Sequence, residues 1–253
     1  MTIKNDKDTE LWKKRFMEMA DATYYRGYHS FSDFLNLNEQ SIFMNMINLM
    51  PKVSYMLWGG HELAERKILC IYMDEPKKED FPITVLKISP KHFKFAETLS
   101  HRDYLGDVLN LGIDRSKIGD ILTVDKEAYL FVDYNIKDYI IAELNKVRHT
   151  NVNCIVVEET IAFNQQYKEI IGTVSSIRLD TLIALAFQSS RSSLLGMISG
   201  GKVFINGCLI TSNSFRPNEG DIISVRGKGK FIFYAQHQVT KKGKIKVSLR
   251  RYM

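Results

Sequence analysis

Two short runs of β-forming residues separated by Asn206-Gly207 constrain this chain more than any other feature. Lys202-Val203-Phe204-Ile205 and Cys208-Leu209-Ile210 flank a dipeptide that tolerates positive φ at both positions, which predicts a tight two-residue hairpin. Upstream, Leu182, Ile183 and Leu185 recur at helical spacing behind Arg178-Leu179-Asp180. Ser190 reads as the N-cap of a second short helix. That helix exposes Arg191 in its first turn, turns Leu194, Leu195 and Ile198 inward, and stops at Gly200-Gly201. Downstream, Gly220-Asp221 leads into Ile222-Ile223-Ser224-Val225 and the loop Arg226-Gly227-Lys228-Gly229-Lys230. The expectation from Arg178 to Gly229 is two short basic helices followed by turn-rich β structure.

Charge separates this region from the rest. Residues 174–253 hold 13 Lys and Arg against 3 Asp and Glu, a net of +10, while the other 173 residues hold 22 against 26, a net of −4. A basic module on a mildly acidic body is the footprint expected of a nucleic-acid binder. A basic membrane-surface patch is the alternative, but no amphipathic helix with bulky apolar anchors accompanies the charge. The apolar fraction of 45% and aromatic fraction of 11% fit a folded chain. Cys70, Cys154 and Cys208 lie far apart in apolar runs, so they read as small buried hydrophobes with neither metal spacing nor a disulfide set. With no signal peptide and no apolar run near 18 residues, the expected location is cytoplasmic.

The first part of the chain reads as a small α+β unit over residues 1–76. Helices are expected at 8–20 and 38–49, strands at 53–58 and 66–73, and a linker at Lys77-Lys78-Glu79-Asp80 between two prolines. Residues 77–165 then read as strand 83–88, a helix capped by Ser100 and Asp103, a hairpin across Asp125-Lys126, a helix over 136–147 and a strand over 152–157. This is the ferredoxin-like β-α-β-β-α-β order of RNA-recognition modules. Tyr129 and Phe131 share one strand face, which suits either base stacking or core packing. Ala128 and Glu127 replace the Gly and the basic residue of the RNA-recognition signature, which favours the core. His61-Glu62-Leu63-Ala64-Glu65 lacks the second His of a zinc-protease helix, and His101-Arg102-Asp103 lacks the Asn and phosphate loop of a kinase. Arg66 has no role legible at this level.

Arg178-Leu179-Asp180, Ser190-Arg191, the Gly201-Lys202-Val203 and Asn206-Gly207 segment, and Gly220-Asp221 through Val225-Arg226-Gly227-Lys228-Gly229 together resemble the S4 RNA-binding domain. Further residues resemble the YlmH family of bacterial S4-domain RNA-binding proteins. These are Gly59-Gly60, Ala64-Glu65-Arg66-Lys67, His101 to Gly106, Leu111-Gly112-Ile113, Arg115, Lys117 and Ile118-Gly119-Asp120-Ile121. The resemblance implies an α+β protein with an N-terminal α+β unit, an RRM-like middle domain, and a C-terminal S4 (αL-type) domain over residues 174–253. It further implies a non-catalytic factor that binds rRNA and tRNA on the large ribosomal subunit; from the residues themselves no metal or cofactor is expected, and a monomer is the expected state. The family is linked to ribosome-associated quality control, with the alanine-tailing factor as a further partner, and by gene neighbourhood to cell division. Two other functions stay open: an RNA-modifying enzyme of the pseudouridine synthase kind or its accessory, and a cell-division scaffold.

Arg178 and Arg191 are the residues expected to contact RNA directly, since an arginine fork grips phosphate bidentately and stacks on bases. For Arg178 a salt bridge to Asp180 is the alternative, and Asp180 is expected to orient the arginine. Ser190, Lys202 and Asn206 match the domain's pattern. Lys202, Arg226, Lys228 and Lys230 are expected to supply phosphate contacts, with Gly227 and Gly229 keeping the loop slim. The sequence departs from the pattern at Phe187-Gln188-Ser189, where a Gly is common, and at Phe204, where a basic residue is common. The basic run from Lys241 to Arg251 reads as a strand, with edge protection as the alternative role.

Overall fold

A long first helix, α1 (Ile3–Arg26), begins the chain in the computed structural model, which describes residues 3–157, 167–240 and 243–252. The helix runs past both ends of the expected 8–20, and on its C-terminal side the buried stripe of Phe16, Ala20 and Thr23 continues to the last turn. Gly27, at φ +71, then stops it, its N–H bonding Thr23 O. Next come β1 (Ser30–Leu35), α2 (Leu37–Met46) with a 3-10 turn to Leu49, β2 (Ser54–Trp58) and β3 (Lys67–Tyr72). Asn36 and Glu39 cap α2 reciprocally. The three strands form an antiparallel sheet in the order β1-β3-β2.

The chain continues through β4 (Ile83–Pro90), α3 (His101–Asn110), β5 (Ile118–Val124), β6 (Glu127–Asp133), α4 (Lys137–Glu143), β7 (Lys146–Val147) and β8 (Thr150–Val157). The sheet order β5-β6-β4-β8-β7 is the ferredoxin-like arrangement with one short added strand. The helix expected over 136–147 ends at Glu143, because Lys146 and Val147 turn back to pair with β8. Asp103 accepts from the Ser100 N–H and hydroxyl at 2.8 and 2.7 Å, as the capping reading expects. One sheet face packs Leu86, Ile88, Leu130 and Val132 against Tyr104, Val108 and Ile140 of the helices.

The opposite face is partly closed by the β1-β3-β2 sheet. Phe131 is 1% exposed and packs with Phe34, Ile68, Cys70 and Phe81 in a core that both sheets share. Lys78–Asp80, in the expected linker, forms a 3-10 turn, and Phe81 just beyond it enters that core. Gly60 has φ +92, and a Cβ there would lie 2.4 Å from the Phe131 ring, so only glycine allows this approach. Met1–Phe163 accordingly form one compact unit and Asn164–Met253 a second.

The second unit opens with β9 (Tyr167–Val174), a strand not anticipated from the sequence. It continues through α5 (Leu179–Phe187), α6 (Arg191–Ser199), β10 (Val203–Ile205), β11 (Cys208–Leu209), β12 (Ile222–Val225), β13 (Gly229–Val239) and β14 (Ile245–Tyr252). All neighbours in the order β11-β10-β12-β13-β14-β9 are antiparallel. Asn206 (φ +48) and Gly207 (φ +79) form the expected two-residue hairpin turn. Leu179, Leu182, Ile183 and Ala186 of α5, with Leu194 and Ile198 of α6, cover one sheet face through Val203, Ile223, Val225, Phe231, Phe233, Val247 and Leu249. Among the described residues, no helix of this unit contributes buried residues to the other face. The basic strand β14 lies between β13 and β9, so an edge-protecting role is overturned for it.

Candidate nucleic-acid interface

Arg178 immediately precedes α5 with an extended backbone, φ −132 and ψ 150. Its Nε and one Nη donate to the two Asp180 oxygens at 3.0 and 3.3 Å. Asp180 is buried and also accepts from the Thr181 N–H at 3.0 Å, which fixes the carboxylate from behind. The fork uses two of its five N–H donors on this anchor while its side chain stays 40% exposed. The ion pair and the outward-facing arginine are therefore compatible: Asp180 limits the rotamers of a long side chain that would otherwise lose entropy on binding.

The connection between the helices gathers a second group. Gln188 takes the left-handed conformation (φ +49) that ends α5, where glycine would carry no Cβ penalty. Lys228 reaches back across this turn, its Nζ 3.1 Å from Ser189 Oγ. Arg251 donates to Ala186 O at 3.4 Å and holds its guanidinium 5.9 Å from the Phe187 ring. Ser190 is exposed and Arg191 begins α6, as expected; the Arg191 side chain and residues Lys241 and Lys242 lie outside what the structure describes. At 1.5 Å per residue, Arg178 and this turn are about 15 Å apart along α5.

Lys202, Arg226 and Lys230 gather elsewhere. Lys202 is exposed just after α6 and accepts the Arg226 N–H at 2.9 Å through its carbonyl. The Arg226 guanidinium lies 4.8 Å from the Phe204 ring, and Lys230 Nζ lies 5.6 Å from the Tyr252 ring. Phe204 thus carries an arginine from a neighbouring loop at the position where a basic residue is common. Asn206 uses its amide within the fold, donating to Asp221 at 2.8 Å and accepting from the Ile222 N–H at 2.9 Å. Tyr167, Tyr234 and Arg250 join the Arg226 and Lys230 side and were not singled out from sequence as contacts. For Tyr234 and Arg250 the signal is alternation with the buried Phe231, Phe233, Val247 and Leu249.

Arg66 belongs to a joint in the first unit. Its guanidinium donates to Phe34 O, Ile118 O and Arg115 O, at 2.7, 2.8 and 3.2 Å. Asp120 accepts from the N–H groups of Glu65 and Arg66 at 2.7 and 3.1 Å and lies 3.4 Å from His61 Nε2. Burial pushes the Asp120 carboxyl up, but the His61 and backbone hydrogen bonds prevail and hold it below the usual range. Burial, with the neighbouring Arg66 charge, brings Arg115 down to about 10. Lys117 ties β1 to β6 through Asp33 and Asp133, at 2.8 and 2.9 Å. Burial pushes the thiols of Cys70 and Cys154 up to about 12 and about 11, leaving them protonated and unreactive. Among the described residues there is no cluster fit to hold a metal ion, and no helix is long and apolar enough to cross a membrane.

Residues 76–161 match the domain described as "Putative RNA-binding domain in YlmH", and residues 177–223 match the S4 domain. The chain is similar to the ribosome-associated protein quality control protein P2 of Bacillus subtilis (strain 168). The two are 27% identical over 226 residues, 87% of this chain and 86% of that protein. A solved structure, the cell division protein ylmH from Streptococcus pneumoniae, superposes with a TM-score of 0.49 at 21% identity, over 59% of this chain and 91% of that one. Both domains matched in order, with a curated relative similar along most of its length, support the YlmH family of S4-domain RNA-binding proteins as the one this chain resembles.

Proposed function

We propose that this protein is a non-catalytic factor of the cytoplasm that binds rRNA and tRNA on the large ribosomal subunit. In this reading it serves ribosome-associated quality control, assisting alanine tailing of stalled chains. The observation that carries the reading is the Arg178 fork, anchored on buried Asp180 yet exposed to a ligand. Lys228 and Arg251 beside the inter-helix turn, and Arg191 at the start of α6, add cations along the same helix pair. The curated relative's name, a ribosome-associated quality control protein, supports the ribosomal setting. Asn206 serves the hairpin in this reading, Ser190 leads into α6, and Lys202 adds a phosphate contact at the far end of α6. Both matched domains are described as, or resemble, binding modules, which supports a role without chemistry.

Co-sedimentation tests the reading. Wild-type protein in lysate should travel with the large subunit, and an Arg178→Ala/Arg191→Ala variant, folded by circular dichroism, should stay at the top of the gradient. Equal sedimentation of the two proteins would remove the helix pair as the anchor.

A further inference from the structure

The sheet face of the C-terminal unit that α5 and α6 leave uncovered carries an ordered set of rings and cations. Strand register places Phe204, Ser224, Lys230 and Tyr252 in line across four strands, with Tyr167 beside Tyr252 on the fifth. Ile232, Arg250 and Glu169 form the next row. Each of three rings already bears a cation: Arg226 lies 4.8 Å from the Phe204 centroid, Lys230 lies 5.6 Å from Tyr252, and Arg250 lies 3.5 Å from Tyr234. At 3.5 Å the Arg250 guanidinium lies against the Tyr234 ring, and its Nε is held 3.4 Å from Glu169. Tyr167 and Tyr252 meet edge to face at 5.1 Å. Ile171 and Tyr234 remain 60% and 46% exposed, so the face is open.

We propose that this face is a second RNA surface, one that takes unpaired nucleotides by stacking their bases on the rings and on the Arg250 guanidinium. It deepens the RNA-binding reading above and rests on that reading only for the class of ligand. Charge complementarity favours a polyanion: Arg226, Lys230, Lys246 and Arg250 stand here against the Glu169 carboxylate, which Arg250 already engages. Flat stacking groups on a sheet distinguish single strands from duplex, whose bases are stacked on each other and whose major groove is too deep and narrow for side chains. With strands about 4.8 Å apart, the row from Phe204 to Tyr167 spans about 19 Å, room for a few nucleotides. The surface lies across the sheet from the helices, so one unit presents structured RNA and an adjacent unpaired segment with different chemistries.

The test uses the full chain, a labelled single-stranded oligouridine of about ten nucleotides, and an RNA hairpin, with affinities read by fluorescence anisotropy. Base–aromatic stacking of this kind is lost at about fivefold or more per ring. Tyr234→Ala/Tyr252→Ala, checked for folding by circular dichroism, should therefore weaken oligouridine binding by about 25-fold or more and leave hairpin binding nearly unchanged. Tyr234→Phe/Tyr252→Phe keeps the rings and should bind oligouridine as wild type does. Arg178→Ala should do the reverse, weakening the hairpin and sparing oligouridine. Oligouridine affinity unmoved by the double alanine change overturns the proposal, including when ribosome association is lost, which would make the face a protein contact. Equal loss of both RNAs in the double alanine variant also overturns it. If Arg178→Ala leaves hairpin binding intact while the tyrosine pair still governs oligouridine, the helix-side reading fails and this one stands.

Discussion

Replacing Asp120 with alanine should loosen the first unit at its internal joint. The carboxylate accepts two backbone N–H groups, at 2.7 and 3.1 Å, and faces His61 at 3.4 Å. Removing it strands those donors and leaves the buried Arg66 and Arg115 guanidiniums short of a counter-charge. Breaking a buried pair by deleting one partner costs about 3–5 kcal/mol. At a urea m-value of about 2 kcal/mol/M, that lowers the midpoint by about 1.5–2.5 M. Trp12 and Trp58 are the only tryptophans and both lie in the first unit, so tryptophan fluorescence, excited selectively over tyrosine, reports this unfolding alone. The sign in acid follows from the same contacts. The folded pKa of Asp120 lies below its unfolded value of about 3.9, so its stabilisation is complete above that pH and disappears as pH falls through the folded pKa. The gap between wild type and variant should therefore close on acidification. An Arg66→Met/Asp120→Leu variant, which removes both charges, should lose less than the two single changes summed. A deficit under about 1 kcal/mol at pH 7 would refute the argument, since that is the value of a solvated surface pair.

Two further outcomes are expected. Gln188→Gly relieves a side chain from the left-handed region at the end of α5 and should stabilise the second unit by up to about 1 kcal/mol, read as a higher melting temperature; a decrease would mean that the glutamine side chain contributes more than its backbone strain costs. Lys228→Ala should weaken hairpin RNA binding and reduce the slope of log K against log salt by about 1, and an unchanged slope would place Lys228 off the phosphate path.

Features with local chemistry were legible from the sequence. Asn206-Gly207, the Ser100 and Asp103 cap and the Asp125-Lys126 hairpin each carry their own backbone preference, and each forms as read. Strands whose pairing is distant were not. β1 pairs with β3 beyond an intervening helix and strand, and its Ser30-Phe31-Ser32-Asp33 start looks like a loop until Ser32 is seen donating to Asp33 O and accepting from the Leu69 N–H. β9 pairs with the far end of the chain, so nothing near Tyr167 announces it. Arg66 was unreadable for a related reason: its partners are carbonyls of Phe34, Arg115 and Ile118, and a carbonyl has no residue type.

The joint also separates fold from chemistry in the middle domain. A ferredoxin-like sheet can stack bases only where its aromatic residues face solvent. Here Phe131 packs with Phe34, and the approach of Gly60 to its ring closes that part of the sheet. The same joint accounts for Arg66, Arg115, Lys117 and Asp120, so the resemblance carried by those residues coincides with the contacts that fasten the two sheets. Side chains built to contact a ligand need exposure together with an anchor. In the second unit Arg178 has Asp180 and Arg250 has Tyr234 and Glu169, each a cation held in place at an open surface. The net charge of +10 therefore sits on the unit whose cations are both oriented and accessible, while the arginines of the first unit's joint are spent on its own carbonyls.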